Sequence, residues 1–236
     1  MDKGRLLSVI CNIKMRIGII FTGGQGPGPE KIKQLLKNLS ENRAYKAAEI
    51  LTVAADSGLV LAETAGVMPD WVVGDMDSLD TEERLDRYSP DRVIRYNTDK
   101  DYTDTELAFN FLRENGCGEI WIVGGGGGRI DHLFGIRDMF EREFPPSRWI
   151  TGGENIFCLD GEGTAIITGL PPGCLVSVFP LGGGPWKTNS LGLKWPLDNV
   201  LWERGLYSLS NVAVSEEITV VAEQGRFMIV FSNMEG

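Results

Sequence analysis

Glu119-Ile120-Trp121-Ile122-Val123-Gly124-Gly125-Gly126-Gly127-Gly128-Arg129-Ile130-Asp131-His132 runs from an apolar strand, through five consecutive glycines, into a helical pattern that continues to about Glu143. Strand, glycine turn and helix in that order are the unit of an open α/β sheet, in which ligands sit at the carboxyl ends of the strands. Five adjacent glycines are costly to order, and a tight turn needs only one or two. The run therefore points to a ligand: bare backbone N–H groups can approach phosphate oxygens, and the following helix N-terminus adds partial positive charge. Gly24, Gly126, Gly127 and Gly128 are candidate nucleotide contacts, and Arg129 offers a fixed charge with forked donors. Neither glycine cluster completes G-x-G-x-x-G, and no G-x-x-x-x-G-K-[ST] occurs, so simple dinucleotide and P-loop readings fail.

The same rhythm extends in both directions. Strands are expected at Arg16 to Thr22, Ile50 to Ala55 and Trp71 to Val73, with helices at about Glu30 to Leu39, Gly58 to Thr64 and Thr103 to Glu114. In the last of these, Leu107 with Phe111 and Ala108 with Leu112 form an i, i+4 apolar face. Pro145-Pro146 stops the helical pattern. Short strands then follow at turn-like spacing: Asn155 to Leu159, Gly163 to Ile167, Cys174 to Pro180, Ser208 to Val214, Ile218 to Ala222 and Arg226 to Phe231. Glu223-Gln224-Gly225 reads as a hairpin turn. The expected architecture is an α/β N-terminal domain with a mainly parallel sheet (15–148), then an all-β sandwich domain (149–236), joined near residues 146 to 153. Residues 1–14, upstream of Met15, read as a leader or extension.

The chain has 236 residues with 23 Lys and Arg against 33 Asp and Glu, a net charge of -10. That balance argues against nucleic acid or an anionic membrane surface as a partner, and a polyphosphate ligand would need help from cations. No apolar stretch reaches the length of a membrane span. Four cysteines without C-x-x-C spacing and a single histidine leave a Cys/His zinc site short of ligands, and the cysteines read as reduced in the cytoplasm.

The acids are concentrated. Between residues 56 and 104 there are 13 acids against 5 bases. Asp56 follows one expected strand, and Gly74-Asp75-Met76-Asp77-Ser78 follows another. Two carboxylates at i and i+2 can converge on one hard cation such as Mg²⁺, the alternative being an exposed acidic turn. In Asp99-Lys100-Asp101-Tyr102-Thr103-Asp104, the last acid is a metal candidate or simply a first-turn helix acid. His132 is either a general base or a capping residue.

Ala55-Asp56-Ser57-Gly58, Pro69 through Ser78, Asp101-Tyr102-Thr103-Asp104-Thr105-Glu106, Gly128-Arg129-Ile130-Asp131-His132, Gly192 through Leu197 and Ser208-Leu209-Ser210-Asn211 together resemble the thiamine pyrophosphokinase family in residues, order and spacing. The resemblance covers about residues 16 to 231. It implies a homodimer that binds ATP and Mg²⁺ in the α/β domain and thiamine between subunits, and that gives thiamine diphosphate and AMP. Asp75, Asp77 and Asp104 would hold metal with Asp56 nearby, and these three acids with Arg129 would carry catalysis. Arg129, Asp131 and His132 would belong to the ATP site, and Asp101 to the substrate side. Ser210, Asn211 and Trp195 would reach thiamine from the partner chain, although Trp195 also suits a sandwich core. The chain departs from many relatives in following Ser210-Asn211 with Val212 rather than an acid. Two other classes fit part of the pattern: a D-x-D metal-dependent nucleotide-sugar transferase and a non-enzymatic metal- or ligand-binding module. The first does not explain the Gly-Arg-Ile-Asp-His and Ser-Leu-Ser-Asn segments, and the second predicts metal binding without ATP turnover.

Overall fold

A computed structural model describes residues 16–232 except 43, 44, 46, 47 and 100, so the expected leader lies outside the described residues. Six parallel strands form the first half: β1 (Arg16–Thr22), β2 (Glu49–Ala55), β3 (Trp71–Gly74), β4 (Val93–Arg95), β5 (Glu119–Gly124) and β6 (Arg148–Ile150), in the spatial order β4-β3-β2-β1-β5-β6. β1 is apolar on both faces because both are covered. Ile17, Ile19 and Phe21 pack with Ile32, Leu39 and Ala62, from α1 (Pro29–Glu41) and α2 (Gly58–Thr64). On the other face Ile20 packs with Ala108, Leu112 and Ile136, from α3 (Asp104–Glu114) and α4 (Ile130–Met139). Gly18 lets α3 close on the sheet, since a Cβ there would lie 2.6 Å from Leu112 Cδ1.

α3 starts where its sequence says it should. Thr103 Oγ1 accepts the Glu106 N–H at 3.3 Å, and Glu106 Oε2 accepts the Thr103 N–H and hydroxyl, each at 2.9 Å. This reciprocal cap satisfies donors that the first helical turn leaves without partners.

The second half has antiparallel strands: β7 (Glu154–Leu159), β8 (Thr164–Thr168), β9 (Leu175–Leu181), β10 (Lys187–Leu191), β11 (Ser208–Val212), β12 (Glu217–Gln224) and β13 (Arg226–Ser232). A sheet in the order β10-β12-β8 packs over β7, β13 and β9. Ile218, Val220 and Ala222 alternate along β12 and meet Val176, Val178, Phe227 and Ile229 in one core.

Three features differ from the expectation. β6 pairs parallel with β5 and antiparallel with β7, so one ten-stranded sheet, β11-β9-β13-β7-β6-β5-β1-β2-β3-β4, passes through both halves. At three residues, β6 is too short to show a period. Glu223-Gln224-Gly225 is no hairpin turn, because β12 and β13 lie in opposite sheets and the turn carries the chain between them. Finally, α4 ends at Met139, well before the prolines. The turn that follows is held by Arg226, whose Nη1 donates to the Arg142 carbonyl at 2.6 Å and the Phe140 carbonyl at 3.4 Å. Among the described residues, no helix is long and apolar enough to cross a membrane, and Cys117, Cys158 and Cys174 are free thiols.

Arg226 also makes a two-point ion pair with Asp160, at 3.2 and 3.1 Å, which holds that carboxyl below the usual carboxylate range. A lowered native pKa contributes stability above the unfolded value, and the contribution is lost as pH falls through the native one. Asp160 is largely exposed, so Asp160→Asn should cost only about 0.5 kcal/mol at pH 7. In paired urea titrations, the difference from the parent should be full above about pH 4 and shrink progressively as pH falls below it.

Candidate active site

Chain order along the sheet changes direction at β1, where β2 to β4 lie to one side and β5 and β6 to the other. At such a switch the loops after two neighbouring strands part, opening a crevice at their carboxyl ends. Here the loops are Gly23-Gly24-Gln25 after β1 and Gly125 to Gly128 after β5. They remain joined: the Gln25 N–H donates to the Gly126 carbonyl at 2.6 Å, and the Gly126 N–H donates to the Gln25 carbonyl at 2.9 Å. Trp149 on β6 fixes the run at its start through an indole N–H to the Gly124 carbonyl at 2.8 Å. The crevice is a cavity of about 500 Å³ that reaches from Gly24 and Gly126 to Asp56, Asp104 and His132.

Packing accounts for much of the glycine run. A Cβ at Gly124 (φ 103°) would lie 2.2 Å from the Thr22 carbonyl oxygen, one at Gly125 (φ 73°) 2.5 Å from Ile136 Cδ1, and one at Gly126 2.8 Å from the Gln25 carbonyl oxygen. Gly128 (φ 67°) alone of the five has open space beside it, facing the cavity. The sequence-based count of one or two structural glycines was too low because it ignored the opposing loop from β1.

Asp56, Asp75 and Asp104 converge, with one carboxylate oxygen from each lying within 4.8 Å of the others. They arrive from the ends of β2 and β3 and from the first turn of α3. Gly74 (φ 149°) makes room for them, since a Cβ there would lie 2.9 Å from Asp104 Oδ1 and 3.2 Å from Asp56 Cβ. Asp77, the third expected ligand, is not in this set. Buried Met76 (φ 67°) turns the chain between the two acids, and Asp77 Oδ1 instead accepts the Ser78 hydroxyl at 2.9 Å.

Asp56 is 6% exposed, and its Oδ1 has no hydrogen-bond partner. Burial pushes its carboxyl upward; the Ser57 N–H and the Ser78 hydroxyl oppose the shift, while Asp104 and Asp77 add to it. A buried carboxylate oxygen without a donor, beside two further carboxylates, is the ligand set a hard divalent cation takes. The residues present fit such an ion.

Arg129 and Asp131, at the entrance to α4, line the cavity as an exposed two-point pair at 3.1 and 2.5 Å. His132 is exposed on the cavity wall. Asp101 is exposed and lines no part of the cavity. Trp195, Ser210 and Asn211 are not there either. β11 stands six strands from β1, a separation of about 30 Å at ordinary strand spacing. Trp195 is 53% exposed with Lys194 Nζ 4.6 Å from its ring centroid, so it is not sandwich core. Asn211 is buried, and its side chain is used within the chain: Oδ1 accepts the Trp195 N–H at 3.1 Å and Nδ2 donates to the Trp195 carbonyl at 2.6 Å. It holds the backbone of Trp195. Ser210 is exposed at a strand irregularity with φ 55°. The sequence reading passed over Ser57 and Ser78, which stood inside quoted motifs, and the buried contact of Thr22 Oγ1 with Thr105 Oγ1 at 2.6 Å, whose partners lie 83 residues apart.

Two family models match this chain: the thiamin pyrophosphokinase catalytic domain over residues 43–143 and the thiamin pyrophosphokinase vitamin B1 binding domain over residues 166–227. Together they take in more than half of its length, in the family's order. The chain belongs to the thiamin pyrophosphokinase family. Curated relatives include thiamine pyrophosphokinase of Bacillus subtilis, 33% identical over 105 residues, covering 44% of this chain and 47% of that protein. Thiamine pyrophosphokinase 3 of Oryza sativa subsp. japonica is 33% identical over 172 residues, covering 65% of this chain and 61% of that protein. The chain thus spans about half to three fifths of the length of these relatives. Among solved structures, the thiamin pyrophosphokinase of Geobacillus thermodenitrificans superposes with a TM-score of 0.68 at 24% identity, over 94% of this chain and 99% of that one. The yeast thiamin pyrophosphokinase superposes at 0.63 and 17% identity, over 93% and 86%. These structures share the mainly parallel sheet followed by an antiparallel part.

The two ends of the glycine run should respond differently to a methyl group. Gly124→Ala combines positive φ with a clash against backbone and should cost well over 2 kcal/mol. Gly128→Ala carries only the left-handed penalty of about 1 kcal/mol. Thermal unfolding of the two variants checks the ranking, and equal losses would contradict the packing described.

Proposed function

We propose that this chain is a thiamine pyrophosphokinase, transferring the pyrophosphoryl group of ATP to the hydroxyl of thiamine and releasing AMP, with Mg²⁺ as its metal. The observation that carries this reading is the meeting of Asp56, Asp75 and Asp104 with two joined glycine loops at the sheet's switch point, in a chain that belongs to this family. In this reading Asp56, Asp75 and Asp104 hold the cation, which supplies charge neutralisation for the polyphosphate. Backbone N–H groups around Gly24, Gly127 and Gly128 orient phosphate oxygens. Arg129 exchanges Asp131 for phosphate when ATP enters. The reaction needs an acceptor hydroxyl in line with the β-phosphorus and the departing AMP, so the work of the chain is alignment and water exclusion rather than covalent chemistry. The cationic thiazolium ring suits an exposed aromatic face, and Trp195 offers one, for about 0.5 to 2 kcal/mol.

Because β11 and the cavity lie far apart in one chain, Trp195 and Ser210 serve the site of a second copy in a two-fold dimer. Asn211 then acts by holding Trp195 in place. The cytoplasm is the proposed compartment.

AMP formation should require ATP, thiamine and a divalent cation together, and EDTA should abolish it. AMP release without thiamine, or a sugar nucleotide as the sole donor, would overturn the reading. Asp104→Asn should leave under about 1% of turnover, a barrier rise of about 2.7 kcal/mol or more. Activity within threefold of the parent would remove Asp104 from the metal set.

Shared sites make a second measurement decisive. Asp104→Asn and Trp195→Ala chains, each impaired alone, should on random pairing recover roughly a quarter of parent activity, because half of the dimers are mixed and each keeps one whole site. No recovery in purified heterodimers would place each site within a single chain.

A further inference from the structure

Asp104 reaches the carboxylate cluster from the first residue of α3, so the rotation of that helix's first turn sets where its oxygens lie. There is little slack: Gly74 already approaches Asp104 so closely that it has no room for a Cβ. Two contacts fix the turn. Thr105 Oγ1 meets Thr22 Oγ1 on the central strand at 2.6 Å. The other contact is Glu106, whose Oε2 accepts both Thr103 donors and whose Oε1 accepts Arg142 Nη2. Arg142 lies in the turn after α4, 36 residues away, and that turn is in turn held by Arg226 at the start of β13. Thus a guanidinium outside the cavity, tied to the antiparallel half, presses on the cap from which the Asp104 ligand projects.

We propose that Arg142, acting through Glu106, is a positioning residue for the metal-binding carboxylate of Asp104. The proposal rests on reading Asp56, Asp75 and Asp104 as a divalent-metal site. Without the guanidinium, the Glu106 carboxylate loses its second anchor and the first turn of α3 can rotate. A ligand oxygen that wanders by a fraction of an ångström weakens a hard, nearly octahedral ion while leaving a distant organic substrate untouched. Loss of a stabilising ion pair alone would behave differently, lowering the melting temperature and leaving the folded site as it was.

The test is Mn²⁺ titration followed by electron paramagnetic resonance, on the full chain and on Arg142→Met, alongside steady-state kinetics in Mg²⁺. Arg142→Met should bind Mn²⁺ about three- to tenfold more weakly. It should lose kcat by a similar factor, with KM for thiamine unchanged, and Arg142→Lys should recover part of both. Lys187→Met, which removes an ion pair with Glu223 in the three-stranded sheet, is the matched control and should change neither. If Arg142→Met does not fold, Glu106→Gln answers the same question, because its amide oxygen keeps the Thr103 cap and gives up the charged contact to Arg142. A folded Arg142→Met or Glu106→Gln that matches the parent within twofold in Mn²⁺ affinity and kcat overturns the proposal alone. A parent chain that binds no Mn²⁺ overturns the metal reading as well.

Discussion

Everything at the candidate site depends on β1 being clamped between β2 and β5. Because all three strands are parallel and apolar on both faces, their carboxyl ends finish level, and the chain must leave β1 and β5 toward opposite sides of the sheet. The divergence opens the cavity. The paired backbone bonds between Gln25 and Gly126 set its width, and the close approach of Gly124 to Thr22 forbids a side chain there. The carboxylates follow from the same constraint, since Asp56 and Asp75 are what the chain carries as it leaves β2 and β3.

Much of this was legible in the sequence because the parallel strands are unbroken apolar runs followed directly by Gly or Asp. Strand β1 and helix α2 fall at the expected residues, and Ala108 and Leu112 pack into the core as the expected apolar face of α3. What stayed hidden was short or tertiary. β4 and β6 have three residues each and show no period, and β10 (Lys187–Leu191) has too polar a sequence to read as a strand. The turn that follows the early end of α4 is held by Arg226, 84 residues from the carbonyl it holds most closely. The carboxylate cluster was nearly legible: the D-x-D spacing suggested that Asp77 would join Asp75, whereas the chain turns at buried Met76 and the acid that meets Asp75 and Asp104 is Asp56. Side-chain direction in a loop depends on a single φ angle, and spacing alone does not carry it.

The two halves are mechanically one body. A continuous sheet, the Arg226 contacts to residues 140, 142 and 143, and the Glu106–Arg142 pair couple the antiparallel strands to the helix that presents Asp104. A chain with its cavity in one half and Trp195 displayed on the other thereby ties their relative placement to one continuous sheet, which any arrangement of sites across two copies would need.

Ten strands in one sheet leave only two open edges, and each is blunted in its own way. β4 offers three residues ending in Arg95, with Arg92 just before it, so a strand arriving there would meet cations and run out of partners. β11 is longer and displays Leu209, but its pairing is interrupted between Ser208 and Asn211, and Ser210 bends it with a left-handed backbone. An irregular edge is a poor template for adding another strand. The ten-stranded sheet thus offers a poor template at either edge, and contacts made at the β11 edge are left to side chains, which can be selective in a way that a ladder of backbone bonds cannot.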